Sequence, residues 1–320
     1  MSHDSEPEPP GAPQVKRARS LSRADIQAQV RARKEQFDEA NEKIAERTGR
    51  NLISAIAIGI VLAAVMVLSL VFLKWIFMIL AAVLVAFATL ELATALRHAS
   101  IHVPRIPSMI AGVGLVPAAF FWGAEGQWLV FVAGVVLVVV WRLLEVAFIP
   151  PRPDARGLVR DVAAGVFVQV YVSFLASAAV LLLSQEGGQW WVLSFIIVVV
   201  LVDVGAYASG LNFGKHPMAP TISPKKTWEG LAGAVLVALI GGVLLAIFLL
   251  QQPWWFGLIF GAVIAITATV GDLCESLLKR DIGIKDMSSW LPGHGGFLDR
   301  LDSILPSAAA AYVLWVIVAS

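Results

Sequence analysis

Cysteine is all but missing: Cys274 is the only one in 320 residues. No disulfide framework can form within one chain, and a lone thiol inside an apolar run reads as a small buried filler. Charge is scarce too, with Asp, Glu, Lys and Arg making up 15% of the chain. An ordinary soluble domain carries about a quarter. No Ser-His-Asp order, Walker loop or zinc-ligand spacing occurs, which removes support from those enzyme classes. A secretory leader is not expected, because about 50 residues precede the first apolar run and no small-residue cleavage site follows a short one.

Hydrophobic residues, by contrast, make up 58% of the chain, with 11 Trp and a mean hydropathy of +0.79. Continuous apolar runs lie at about 51–73, 75–96, 106–123, 127–149, 158–184, 190–211, 229–251, 254–277 and 303–320. Each approaches or exceeds the roughly 20 residues that cross a bilayer as a helix. None alternates as a lipid-facing strand would. The expectation is an all-α, polytopic membrane helical bundle of about nine transmembrane helices. Residues 1–50 form a separate charged tail, Pro- and Glu-rich and disordered at first, then at best an amphipathic surface helix. Residues 51–320 form the membrane domain.

Charge orients the bundle. Ten Lys and Arg precede residue 51. Placing that tail in the cytoplasm puts Arg97, Arg105, Arg152, Arg156, Arg160, Lys215, Lys225, Lys226, Lys279, Arg280, Lys285 and Arg300 on the same side and only Lys74 opposite. Trp75, Trp122, Trp128, Trp190, Trp191, Trp254 and Trp255 then mark the outer ends, as interfacial anchors. Gly257 and Gly261 form a GxxxG step that suits close helix packing within the chain or in a homodimer.

Polar residues gather in three places on the inner side. Asp203 lies roughly 12 Å inside its span, where a carboxylate is costly enough to mark a functional candidate. Residues 220–230, PTISPKKTWEG, combine Lys225 and Lys226 with a helix start predicted at Ser223, proline following at the first helical position. Such a start offers amide donors to an anion. Lys215 and His216, just upstream, read as solvated. In the third place, Asp272, Glu275, Ser276 and Lys279 fall at 0, +3, +4 and +7 and share one helix face. Arg280, Lys285 and Asp286 follow. Next comes a glycine-rich turn around His294, then Asp299, Arg300 and Asp302. Cations suit phosphates, and carboxylates near them suit a hard divalent ion. A loop returning between the last two spans can bring Asp272 and Asp299 together around Mg²⁺. His294 can bind phosphate or donate a proton.

At these residues the chain resembles the phosphatidate cytidylyltransferase family, the CDP-diacylglycerol synthases. The family's signature S-x-x-K-R-x4-K-D-x5-P-x-H-G-G-x2-D-R-x-D is complete in Ser276, Lys279, Arg280, Lys285, Asp286, Pro292, His294, Gly295, Gly296, Asp299, Arg300 and Asp302. SPKKTWEG and DVGAY are similar to two further family stretches, and the likeness covers roughly residues 51–320. Val204 and Leu211 stand where the family commonly has Thr and Arg. The resemblance implies cytidylyl transfer from CTP to phosphatidic acid, with Mg²⁺ as cofactor, feeding phospholipid biosynthesis. It implies metal ligands Asp272 and Asp299, with Asp302 as an additional ligand. Lys279, Arg280, Lys285, Asp286, His294 and Arg300 fall to catalysis; Ser223, Lys225, Lys226 and Asp203 fall to substrate binding. Partners are CTP, phosphatidic acid and membrane lipids, with no nucleic acid. The expected location is the plasma (inner) membrane, with the active site facing the cytoplasm. A CTP-dependent polyprenol or lipid kinase and an anionic-solute transporter are the alternatives, and the complete signature and one-sided charge argue against them.

Overall fold

The computed structural model describes residues 61, 64–150, 152–288, 290 and 295–319. The tail over 1–50, most of the first apolar run, and His294 lie outside the described residues. Helical residues 64–72 belong to that run. The helices that follow are α1 (Lys74–His98), α2 (Arg105–Phe148), α3 (Ala155–Ser184), α4 (Gly188–Phe213), α5 (Trp228–Phe248), α6 (Trp254–Ile282) and α7 (Leu298–Ala319). All seven are long and apolar enough to cross a bilayer.

The runs predicted at 106–123 and 127–149 both lie in α2, whose 44 residues would stretch some 66 Å if straight. They do not stay straight. Gly123 adopts φ 62°, ψ −151°, a conformation open almost only to glycine, and divides the helix into two arms. In α3, residues Gln169–Phe174 widen into a π-helical stretch, and Gln169 donates to the Ser108 carbonyl of α2 at 3.0 Å. Helix α7 turns at 302–303 between Leu298–Leu301 and Ile304–Ala319.

Small residues bring α4, α5 and α6 close. A Cβ at Gly205 would stand 3.0 Å from the Gly233 carbonyl oxygen of α5. One at Gly257 would stand 2.7 Å from the Gly242 oxygen, and one at Gly261 would press on Ala238 and Leu239. The GxxxG step is therefore filled by α5 of the same chain, and a second copy would need another face. Packed around these contacts is a core of Val192, Phe195, Val199, Phe260, Ile264 and Ala268.

Two sequence expectations are corrected by packing. Trp191, taken as an interfacial anchor, is only 6% exposed and meets Phe256 and Phe260 edge-on, so its indole serves the core. Trp75, Trp122, Trp128, Trp254 and Trp255 are exposed, as anchors should be. Cys274, expected as a buried filler, is exposed. It lies to one side of the α6 face that carries buried Gly271 and Glu275, roughly 80° around the helix from their mean direction.

Candidate active site

Between α4 and α5 the chain leaves the helical pattern for a small antiparallel hairpin, β1 (Pro217–Ala219) and β2 (Ser223–Thr227). The predicted helix start at Ser223 is four residues early. Ser223 pairs across the hairpin with Ala219, and α5 begins after Thr227, whose hydroxyl accepts from the Gly230 amide at 3.1 Å. Cross-strand pairing sets the later start: Thr227 holds an extended backbone and is β-branched, while Pro224 sits comfortably at the edge of a two-stranded ribbon. Lys225 and Lys226 are thus strand residues. Glu229 closes the hairpin, with Oε1 2.5 Å from His216 Nδ1 and Oε2 accepting from the amides of Lys215 and His216 at 3.1 and 3.2 Å. His216 is part of a clasp, not merely solvated.

The hairpin forms one wall of a cleft of about 300 Å³ between α4, α5 and α6. Asp203, Lys225, Lys226, Thr227 and Asp272 supply its polar lining; Val202, Ala206, Leu231 and Ala234 supply apolar wall. The Lys226 ammonium pairs with Oδ2 of Asp272 across it. Asp203 opens to this cleft, within electrostatic reach of Asp272, Lys226 and Arg300. Among the described residues it caps no neighbouring helix. Arg280 Nε donates to the Ile222 carbonyl at 3.3 Å and ties the end of α6 to the hairpin turn.

Next to the cleft, the shared face of α6 forms as its spacing predicts. Ser276 Oγ approaches Asp272 Oδ1 at 3.4 Å, and Lys279 Nζ donates to Glu275 Oε2 at 2.8 Å. Lys279 also donates to Asp299 Oδ1 of α7 at 2.8 Å. Oδ2 of Asp299 accepts from the amides of Met287 and Gly296 at 3.1 and 2.8 Å. Asp302 lies within reach of Asp272 and Glu275. Glycine is needed at 271, where any Cβ would meet the Asp302 backbone carbonyl. Lys285 and Asp286 are exposed on the connecting loop.

Sequence reasoning passed over Glu91. It lies in the last two turns of α1, 1% exposed, and its Oε1 accepts from Ser288 Oγ at 2.5 Å and the Phe297 amide at 2.9 Å. Its Oε2 accepts from the Leu298 amide at 2.9 Å. One carboxylate from a distant helix thereby fixes the start of α7. A Cβ at Gly296 would stand 2.9 and 3.0 Å from the two Glu91 oxygens, so this signature glycine makes room for them. The signal was available: a glutamate inside an apolar span is costly and needs a partner.

Whether these residues suit a metal depends on the donor set. Among the described residues, no three His, Cys, Asp or Glu side chains form a ready-made cage. Mg²⁺ does not require one, since one or two carboxylates plus substrate phosphates suffice. The carboxylates of Asp272, Glu275, Asp299 and Asp302 cluster around two lysines, and Glu275 Oε1 is buried without a hydrogen-bond partner. Such a set attracts cations, and it fits a divalent ion.

Seven apolar helices with this charged cleft at the ends of three of them define a multi-pass membrane protein. Within that class, the chain belongs to the cytidylyltransferase family, whose profile matches residues 53–318. It is 40% identical over 273 residues to the phosphatidate cytidylyltransferase of Mycobacterium bovis, covering 84% of this chain and 89% of the relative. The Mycobacterium tuberculosis protein of the same name is also 40% identical, over 83% of its length. That of Mycobacterium leprae is 39% identical over 280 residues, or 85% of this chain and 90% of the relative.

Proposed function

We propose that the chain transfers the cytidylyl group of CTP to phosphatidic acid, releasing pyrophosphate and forming CDP-diacylglycerol for phospholipid synthesis. Its family and its mycobacterial relatives' names support this reading. The observation that carries it in this chain is the Lys226–Asp272 pair, which joins the hairpin to the acidic face of α6 inside a cleft with one apolar wall.

A phosphatidate oxygen is already anionic, so the reaction needs no strong base. A bond forms from that oxygen to the α-phosphorus of CTP, and the bond to the bridging oxygen breaks with its electron pair leaving on pyrophosphate. The obstacle is mutual repulsion of two polyanions, which fixed positive charge relieves. Lys225 and Lys226 line the cleft and neutralise phosphate there, with Ser223 shaping the hairpin that presents them. Lys279, Arg280, Lys285 and Arg300 supply further positive charge, and His294 has a role as a phosphate ligand or proton donor. Asp286, exposed on the connecting loop, is assigned to catalysis beside them. Asp272 and Asp299, with Asp302, would hold Mg²⁺, which when bound neutralises phosphate oxygens. Asp299 also braces the loop through Met287 and Gly296, so its loss disturbs position as well as charge.

The chain would cross the membrane about nine times, counting the first run and both arms of α2. Its tail and cleft would face the cytoplasm of a bacterial plasma membrane. The decisive assay uses CTP labelled at the α- or γ-phosphate, with phosphatidic acid and Mg²⁺ in vesicles. The α-label should enter the lipid and the γ-label should leave as pyrophosphate. Entry of the γ-label into lipid would instead mean a kinase, and no transfer would refute the reading.

A further inference from the structure

A second basic cavity, of about 420 Å³, lies outside the nucleotide cleft, where the end of α1, the end of α2 and the start of α3 meet. Arg97, Arg142, Arg152 and Arg160 line it. Its floor is built: Arg142 donates to Asp161 Oδ2 from Nη2 at 2.6 Å and from Nε at 3.2 Å, and the His102 amide donates to Asp161 Oδ1 at 2.9 Å. Both members of that ion pair are at least nine-tenths buried.

The acidic groups around this cavity are already engaged. Asp161 is held as described. Glu145 accepts from Arg142 and from Trp141 Nε1, and Asp154 caps α3 by accepting from the Gly157 amide at 2.9 Å. The other guanidinium groups are underused. Arg160 donates one bond to the Ser100 carbonyl at 2.7 Å, and Arg152 one to the Ala147 carbonyl at 3.1 Å. Arg97 has no side-chain partner among the described residues, and its Nε is buried without one. A guanidinium carries five N–H donors in a planar fork, so three such groups offer far more donors than this basin accepts. Forked N–H donors facing a shared cavity match the oxygens of a phosphate.

We propose that this basin is a second phosphate-binding site, separate from the nucleotide cleft, which takes the phosphate of a lipid headgroup or of a soluble phosphate compound. It stands at the ends of apolar helices, where lipid headgroups lie. It also backs onto the signature loop: Leu96 and Val103, flanking Arg97 and Ser100, share one buried cluster with Met287 and Leu298. The basin and the cleft share no lining residue, so a ligand here would not touch the cleft.

The test uses the full chain in phosphatidylcholine nanodiscs with phosphatidylglycerol titrated in, bound lipid counted by native mass spectrometry and CTP affinity measured alongside. Arg97→Gln is compared with the exposed pair Arg152→Gln/Arg160→Gln, whose positions carry no core packing. Either variant should lower phosphatidylglycerol occupancy about tenfold, the loss of roughly one charge-assisted hydrogen bond. CTP affinity should stay as in the wild type. In a parallel arm, millimolar inorganic phosphate is added. Displacement of the lipid supports a site satisfied by phosphate alone, whereas retention of the lipid supports recognition of a headgroup at the membrane. Equal phosphatidylglycerol occupancy in the wild type and both variants would overturn the proposal, whatever CTP does.

Discussion

Asp272 joins the two halves of the cleft, because its carboxylate accepts both Lys226 from the hairpin and Ser276 from its own helix face. Asp272→Asn keeps the shape and removes the charge. Turnover should fall at least about 100-fold with little change in folding, checked by steady-state assay and thermal melting. Glu91 acts differently. Its two oxygens satisfy two amides and a hydroxyl in a buried setting, so Glu91→Ala strands three donors at about 1–3 kcal/mol each. The expected outcome is faster proteolysis of the 284–298 connection together with lost activity, while Asp272→Asn leaves proteolysis unchanged. Equal protease sensitivity of Glu91→Ala and wild type would contradict the anchoring role.

The helices themselves were legible in the sequence because an uninterrupted apolar run has few other solutions in a bilayer. The break at Gly123 was legible as a gap between runs, though not as a single α2 with two arms. The same limit explains Ser223. Ser-Pro is a good helix start locally, but pairing with Ala219 and the capping geometry of Thr227 override it, and neither can be read from adjacent residues. The acidic face of α6 was visible from spacing alone; its linkage through Lys279 to Asp299 depends on where α7 returns. Two substitutions test the elements. Thr227→Ala removes the α5 cap and should cost about 1 kcal/mol, measurable in denaturant melts. Gly257→Leu forces α5 and α6 apart where a Cβ already has no room. It should cost about 1–3 kcal/mol or more and also weaken CTP binding, since α6 carries Asp272. Unchanged CTP affinity in folded Gly257→Leu would separate the packing from the site.

At the scale of the molecule, rigid helices crossing at small residues bring one polar rim together from segments far apart in sequence: α1 through Glu91, the hairpin through Lys226, α6 through Asp272 and α7 through Asp299 and Asp302. In the proposed reaction the apolar body would carry the lipid substrate while the rim would meet a water-soluble nucleotide. Of this arrangement, the complete signature disclosed the chemistry, while the Glu229 clasp emerges only once the hairpin folds, and Glu91 and the arginine basin only once distant helices meet. The central claim is that the acidic rim holds a divalent cation against nucleotide phosphate. Its most direct test is electron paramagnetic resonance of Mn²⁺ bound to the reconstituted chain in the presence of CTP. Coupling of the manganese to phosphorus is expected in the wild type and should vanish in Asp272→Asn. The same phosphorus coupling in both proteins, or bound Mn²⁺ with none in either, would contradict the claim.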